Sequence, residues 1–118
     1  MNKKKQKRGI RLVIESDRGA IFIAKYGDKI VGMCSVQLVI SSAMGGFSSL
    51  IEDMIVISDY RGKGVGRILL NQAIEWAKRN GALRHQLLAD KTNRDALEFY
   101  DKLGWEKTRM ICLRKFDN

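Results

Sequence analysis

At 118 residues, with 45% hydrophobic and 30% charged positions, the chain has the length and balance of one folded domain rather than of a disordered or fibrous polymer. Lys and Arg number 22 against 13 Asp and Glu, a formal charge of +9 that favours anionic partners. Cys34 and Cys112 have neither metal nor redox spacing, and with His85 as the sole histidine a histidine-rich metal centre or a Ser/His couple has little to draw on.

Taken in chain order, Lys3, Lys4, Lys5, Lys7, Arg8 and Arg11 crowd residues 1–11 with no acid among them, which reads as a solvated, flexible basic tail. No aromatic residues interleave with these charges and no helix-turn-helix or zinc-finger spacing follows, so nucleic acid is not an expected partner. No apolar stretch after the basic start suits a secretory signal, and no run of about 18 apolar residues suits a membrane span, so a soluble, cytoplasmic protein with two free, buried thiols is expected. Residues 20–26 and 29–40 are β-rich runs joined at Gly27-Asp28, a short hairpin signal. Ser41 to Ser49 reads as a longer connection before a strand over Leu50 to Ile57. Strict alternation there would set Ile51, Asp53, Ile55 and Ile57 on one side and Glu52, Met54 and Val56 on the other.

A glycine-rich turn, Arg61 to Gly66, leads into a helical period in which Val65, Ile68, Leu69, Ala73, Trp76 and Ala77 share a face. Lys78 and Arg79 suit its last turn, and Gly81 its C-terminal cap. Residues 83–89, with His85 alternating with leucines, read as a strand, Asn93 to Leu103 as a helix ended by Gly104, and Thr108 to Lys115 as a final strand. This order argues for a single α/β domain over 1–118, a mixed sheet with helices packed on it.

A strand entering Gly62-x-Gly64-x-Gly66 and then a helix sets backbone N–H groups against the positive end of a helix dipole, where an anion is favoured; a tight structural turn would use the same glycines. The Walker loop fails because Gly66 is followed by Arg67-Ile68, and the dinucleotide fingerprint fails because the spacing is G-x-G-x-G. Arg61-Gly62-Lys63-Gly64-Val65-Gly66 resembles the pyrophosphate loop of the GNAT superfamily of N-acetyltransferases at every fixed position. Asn93 to Trp105 resembles the second signature of that superfamily, with its Asn, Ala, Phe-Tyr and Gly-aromatic positions. The likeness covers about Ala20 to Lys115, and residues 51–62 are most similar to the diamine acetyltransferase branch.

The resemblance implies a GNAT-like sheet, mostly antiparallel, with splayed central parallel strands. It implies acetyl transfer from acetyl-CoA to an amine, without metal. The cofactor set that it carries over is Met54, Ile55, Val56, Arg61, Gly62, Lys63, Gly64, Val65, Gly66, Arg67, Asn93, Ala96 and Tyr100. An ammonium near its usual pKa of about 10 has no lone pair, so a base or water chain must take a proton; Glu52 resembles the acid proposed for that role, and an acid that merely binds the amine is the other reading. Tyr100 resembles the donor to the departing thiolate, or is an aromatic core residue beside Phe99; Asn93 also suits a helix N-cap. Asp53 is expected to face away from Glu52.

Superfamily members place helices ahead of the hairpin that wall the acceptor pocket, and here only about nineteen residues precede it. A naturally short chain, a fragment and a wall supplied by a second subunit of a homodimer are the alternatives. The acceptor is a small-molecule or peptide amine: Glu52 and Asp53 favour a cationic one, whereas the +9 charge argues against a polyamine. A CoA-binding module without turnover is the alternative function.

Overall fold

The computed structural model describes residues 2–117. In order they form α1 (Lys3–Glu15), β1 (Gly19–Tyr26), β2 (Lys29–Ser41), β3 (Gly46–Val56), a 3-10 turn (Ser58–Tyr60), α2 (Val65–Arg79), β4 (Ala82–Leu87) and α3 (Arg94–Lys102). The chain divides after Leu88 into two compact units, the first holding α1 to β4 and the second α3.

The first unit is built on a four-stranded sheet in the order β1-β2-β3-β4. β1, β2 and β3 run antiparallel, and α2 carries the chain over to β4, which lies parallel to β3. The expected mixed α/β sheet is thus present. Its core joins Val31, Cys34, Val36 and Ile51 of the sheet with Leu69, Leu70, Ala73 and Ala77 of α2. The helical face is the expected one with one exchange: Leu70 is buried and Ile68 is exposed. A β-carbon on Gly32 would stand 2.9 Å from Leu69 Cδ1, 3.2 Å from Val65 Cγ1 and 3.3 Å from the Ile55 carbonyl oxygen, so α2 approaches β2 as closely as a glycine permits. Beyond α2, Gly81 takes φ +95°, the left-handed conformation expected of a residue ending a helix.

Four local expectations are corrected. Residue 1 lies outside the described residues, and residues 2–11 are not a flexible tail: Lys3–Glu15 is helical, with Asn2 Oδ1 accepting from Lys5 N at 3.0 Å. Lys and Arg are good helix formers, and Val13 anchors the helix against Gly19 of β1. The β2–β3 connection is the four-residue turn 42–45 rather than the whole of Ser41 to Ser49. Ser48 and Ser49 belong to β3, buried, because β4 satisfies their hydroxyls: Ser48 Oγ donates to the Arg84 carbonyl at 3.3 Å, and Ser49 Oγ lies 2.7 Å from His85 Nδ1. Burial holds the His85 pKa below its usual value, with Lys78 adding to the effect. Residues 108–115 form no strand, and Met110, Ile111 and Leu113 are exposed; alternation specifies faces, but a strand also needs a ladder, and the described residues of the second unit hold no strand to pair with.

Finally, the two thiols are free but not alike. Cys34 is buried and its pKa is pushed up to about 11 by burial, with the nearby Asp53 charge adding, whereas Cys112 is exposed. A thiol reagent at neutral pH is therefore expected to label one cysteine of the native chain rapidly and the second only in denaturant; peptide mapping that found Cys34 modified in the native protein would contradict this.

Candidate active site

β3 pairs with β4 only as far as Ile51 and Leu87, while its pairing with β2 continues to Val56 opposite Gly32. From Glu52 to Val56 the β4-side edge of β3 has no strand partner among the described residues. β4 ends at Leu87, so β3 runs on beyond its parallel partner, and Met54, Ile55 and Val56 lie on the open edge.

A bulge interrupts β3 within this stretch. Met33 pairs with Ile55 and Ser35 with Glu52, so two residues of β2 span three of β3. Asp53 takes φ +52°, making it the one non-glycine in the left-handed region among the described residues. Buried Ser35 holds the bulge: its hydroxyl has two acceptors in reach, the Glu52 carbonyl oxygen at 3.0 Å and Asp53 Oδ2 at 3.1 Å. Asp53 consequently reaches the side of the sheet on which Glu52 pairs with Ser35, contrary to the alternation drawn from the sequence. Both acids are exposed.

Past the 3-10 turn the chain enters the glycine loop. Arg61 Nε donates to the Val56 carbonyl at 2.8 Å, tying the loop to the end of β3. Lys63 Nζ lies 5.4 Å and Lys29 Nζ 5.8 Å from the centre of the Tyr60 ring. Gly62 and Gly64 have φ +75° and +85°, and a β-carbon at either would meet nothing within 4 Å, so backbone conformation rather than space requires glycine there. Gly64 caps α2 without a side-chain bond, and Ile68 N donates to its carbonyl at 3.1 Å. Among the described residues the N–H groups of Val65, Gly66 and Arg67 have no backbone acceptor, and the first turn of α2 holds no acid. The positive end of the helix is left for an anion.

In the second unit Asn93 caps α3, its Oδ1 accepting from Ala96 N at 3.1 Å, which is the capping role the sequence allowed. Tyr100 lies within an aromatic cluster, its ring centre 5.3 Å from that of Phe99 and 6.2 Å from that of Trp105. Glu52, Met54 to Val56 and Arg61 to Arg67 thus belong to the first unit, and Asn93, Ala96 and Tyr100 belong to the second.

The acetyltransferase (GNAT) family profile matches residues 2–105, taking in both the glycine loop and α3. The chain belongs to that family. This GNAT chain is 32% identical over 100 residues to an uncharacterized N-acetyltransferase of Methanocaldococcus jannaschii, covering 84% of this chain and 44% of that protein. It is 38% identical over 89 residues to streptothricin acetyltransferase A of Bacillus subtilis, covering 75% and 49%. It thus spans about half the length of these curated relatives. Among solved structures, a protein of Bacillus halodurans C-125 described as a transcriptional regulator superposes with a TM-score of 0.87 at 31% identity, covering 96% of this chain and 76% of that one. The enzyme AAC(6')-Iy bound to a bisubstrate analogue gives 0.83 at 19% identity, covering 98% and 82%, a likeness of fold.

Two residues that shape this end of the sheet escaped the sequence reading. Ser35 and Gly32 act through register, and counting outward from the Gly27 turn is defeated by the slip beside Ala24 before it reaches either.

Proposed function

We propose that the chain moves an acetyl group from acetyl-CoA to a primary amine by direct transfer, with residues 1–118 acting as one acetyltransferase domain in the cytoplasm. The observation that carries this is the start of α2, where the N–H groups of Val65, Gly66 and Arg67 have no backbone acceptor among the described residues, beyond two left-handed glycines. Such donors suit the cofactor pyrophosphate, and the open edge at Met54, Ile55 and Val56 suits the amides of its pantetheine arm. Arg61, Gly62, Lys63 and Gly64 complete the loop, while Asn93, Ala96 and Tyr100 join the set through the family resemblance.

When bound, acetyl-CoA supplies the acetyl group already activated as a thioester. The Glu52 carboxylate takes a proton from the amine, directly or through water, and Tyr100 Oη gives one to the departing sulfur. The acceptor is a small-molecule or peptide amine; a relative named for streptothricin, and a neighbour in fold named as an aminoglycoside N-acetyltransferase, support the small-molecule class.

Thiol release from acetyl-CoA, followed across a panel of amines and corrected for the protein's own Cys112, tests the reading. Amine-dependent release is expected, falling by about 10²-fold in Tyr100→Phe while the thermal shift produced by the cofactor is retained. Cofactor binding without release for any amine would overturn the transfer step and leave a CoA-binding module.

A further inference from the structure

The face of the sheet turned away from α2 holds a trough that the transfer chemistry does not use. Gly32 lies under α2, so alternation along β2 turns Ser35, Gln37, Val39 and Ser41 to the opposite face. Their β3 partners on that face include Glu52, Leu50 and Ser48, and β4 adds Gln86 opposite Leu50 and Arg84 opposite Ser48. Val39, Ser41, Ser48, Leu50, Arg84 and Gln86 line a cavity of ≈ 430 Å³, within the size range of small-molecule sites. Glu52 is the next residue of β3 on this face beyond Leu50.

The trough is rich in donors and short of acceptors. Half-buried Arg84 gives Nε to Ser48 Oγ at 3.3 Å and Nη2 to Ser41 Oγ at 3.4 Å. Among the described residues the one ion pair is Lys78 with Glu75, so the Arg84 guanidinium meets no carboxylate and keeps N–H groups to spare. Ser41 Oγ also accepts from Met44 N at 3.3 Å, which leaves its own proton to donate. Helix α1 lies on this same face, since Val13 contacts the β-carbon position of Gly19 and Gly19 pairs with Gln37. Its six exposed cations, Lys3, Lys4, Lys5, Lys7, Arg8 and Arg11, add a positive field that draws acids and repels polyamines.

We propose that the acceptor is an extended amine bearing an anionic group, a carboxylate or phosphate, which Arg84 binds. Ser48 and Glu52 are four residues apart on β3, so the anion sits roughly 13 Å from the proton acceptor. This rests on the acetyltransferase reading and names its substrate class.

A molecular ruler tests it. Aminohexanoate, aminooctanoate and aminododecanoate, each with the amine at the far end, are compared with amino alcohols of equal length, and matching aminoalkyl phosphates distinguish carboxylate from phosphate. In thiol release the longest acids or phosphates are expected to exceed their alcohols in kcat/KM by about tenfold or more, and the shortest to show no advantage. Arg84→Gln brings the ratio toward one, and Arg84→Lys keeps part of it. Equal rates for anion and alcohol at every length, or a preference untouched by Arg84→Gln, would overturn the proposal. Calorimetric titration of the wild-type chain without cofactor separates the two readings. Anion binding there with no turnover of any amine supports the Arg84 site and sinks the transferase reading; turnover with indifferent binding does the reverse.

Discussion

Glu52→Gln is expected to lower kcat/KM by about 10²- to 10⁴-fold at neutral pH and to recover much of that loss as the pH is raised toward the amine's own pKa of about 10. At neutral pH only about one primary amine in a thousand is uncharged, so a group that removes the proton beside the cofactor governs the rate. Glutamine has the shape of glutamate but no basic oxygen. The fold is expected to tolerate the exchange, because the Glu52 side chain is exposed and its contribution to the bulge is a backbone carbonyl bonded to Ser35. Once the amine is already neutral in solution the base has nothing left to do, and the wild-type and variant profiles should converge. Parallel profiles, with one constant deficit at all pH values, would instead make Glu52 a group that binds the amine.

Gly32→Val is the second large effect. A single β-carbon there already stands 2.9 Å from Leu69 and 3.3 Å from the backbone oxygen of Ile55, and valine adds two methyl groups beyond it. Leu69 can yield by a change of rotamer, but Val65 of α2 stands 3.2 Å away as well, and with β3 fixed by the ladder on the other side the added methyl groups push α2 outward. Overpacking of this kind costs about 1–3 kcal/mol, which for a chain of this size lowers Tm by roughly 4–12 °C. The same lift displaces Val65, the first residue of α2, and with it the N–H groups at which we propose the pyrophosphate binds. Differential scanning calorimetry and cofactor titration should therefore report both losses together, with Gly32→Ala showing a smaller version of each. A stable variant with unaltered cofactor affinity would show that α2 does not depend on this close approach.

These two residues also mark what could be read in advance. The glycine loop, the helix behind it and the Asn93 cap were legible because each is local: positive-φ positions, a 3.6-residue period and an Asn preceding a helix all lie within a few neighbours in sequence. Glu52 was singled out by the resemblance alone, and its role is a proposal. The position of Asp53 was not legible, because one inserted residue flips every later side chain and alternation alone carries no record of the slip. Helix α1 was misread because charge density masked residues that favour helix and an Asn at the cap position. Residues 108–115 were misread in the opposite sense, since a strand-like pattern cannot form a ladder alone.

The stretch of β3 from Glu52 to Val56 has a further meaning outside catalysis. A rim without a strand partner invites other chains to stick, and many proteins hide such rims beneath loops or stud them with lysine. Hiding this one would also close the edge that we propose for the pantetheine arm. The left-handed kink at Asp53 and two adjacent negative charges give a different protection: a second polypeptide cannot run straight along the rim, whereas a short, flexible ligand needs only its last few residues. The distortion that shapes the reaction centre would then also keep copies of the protein from aggregating through it.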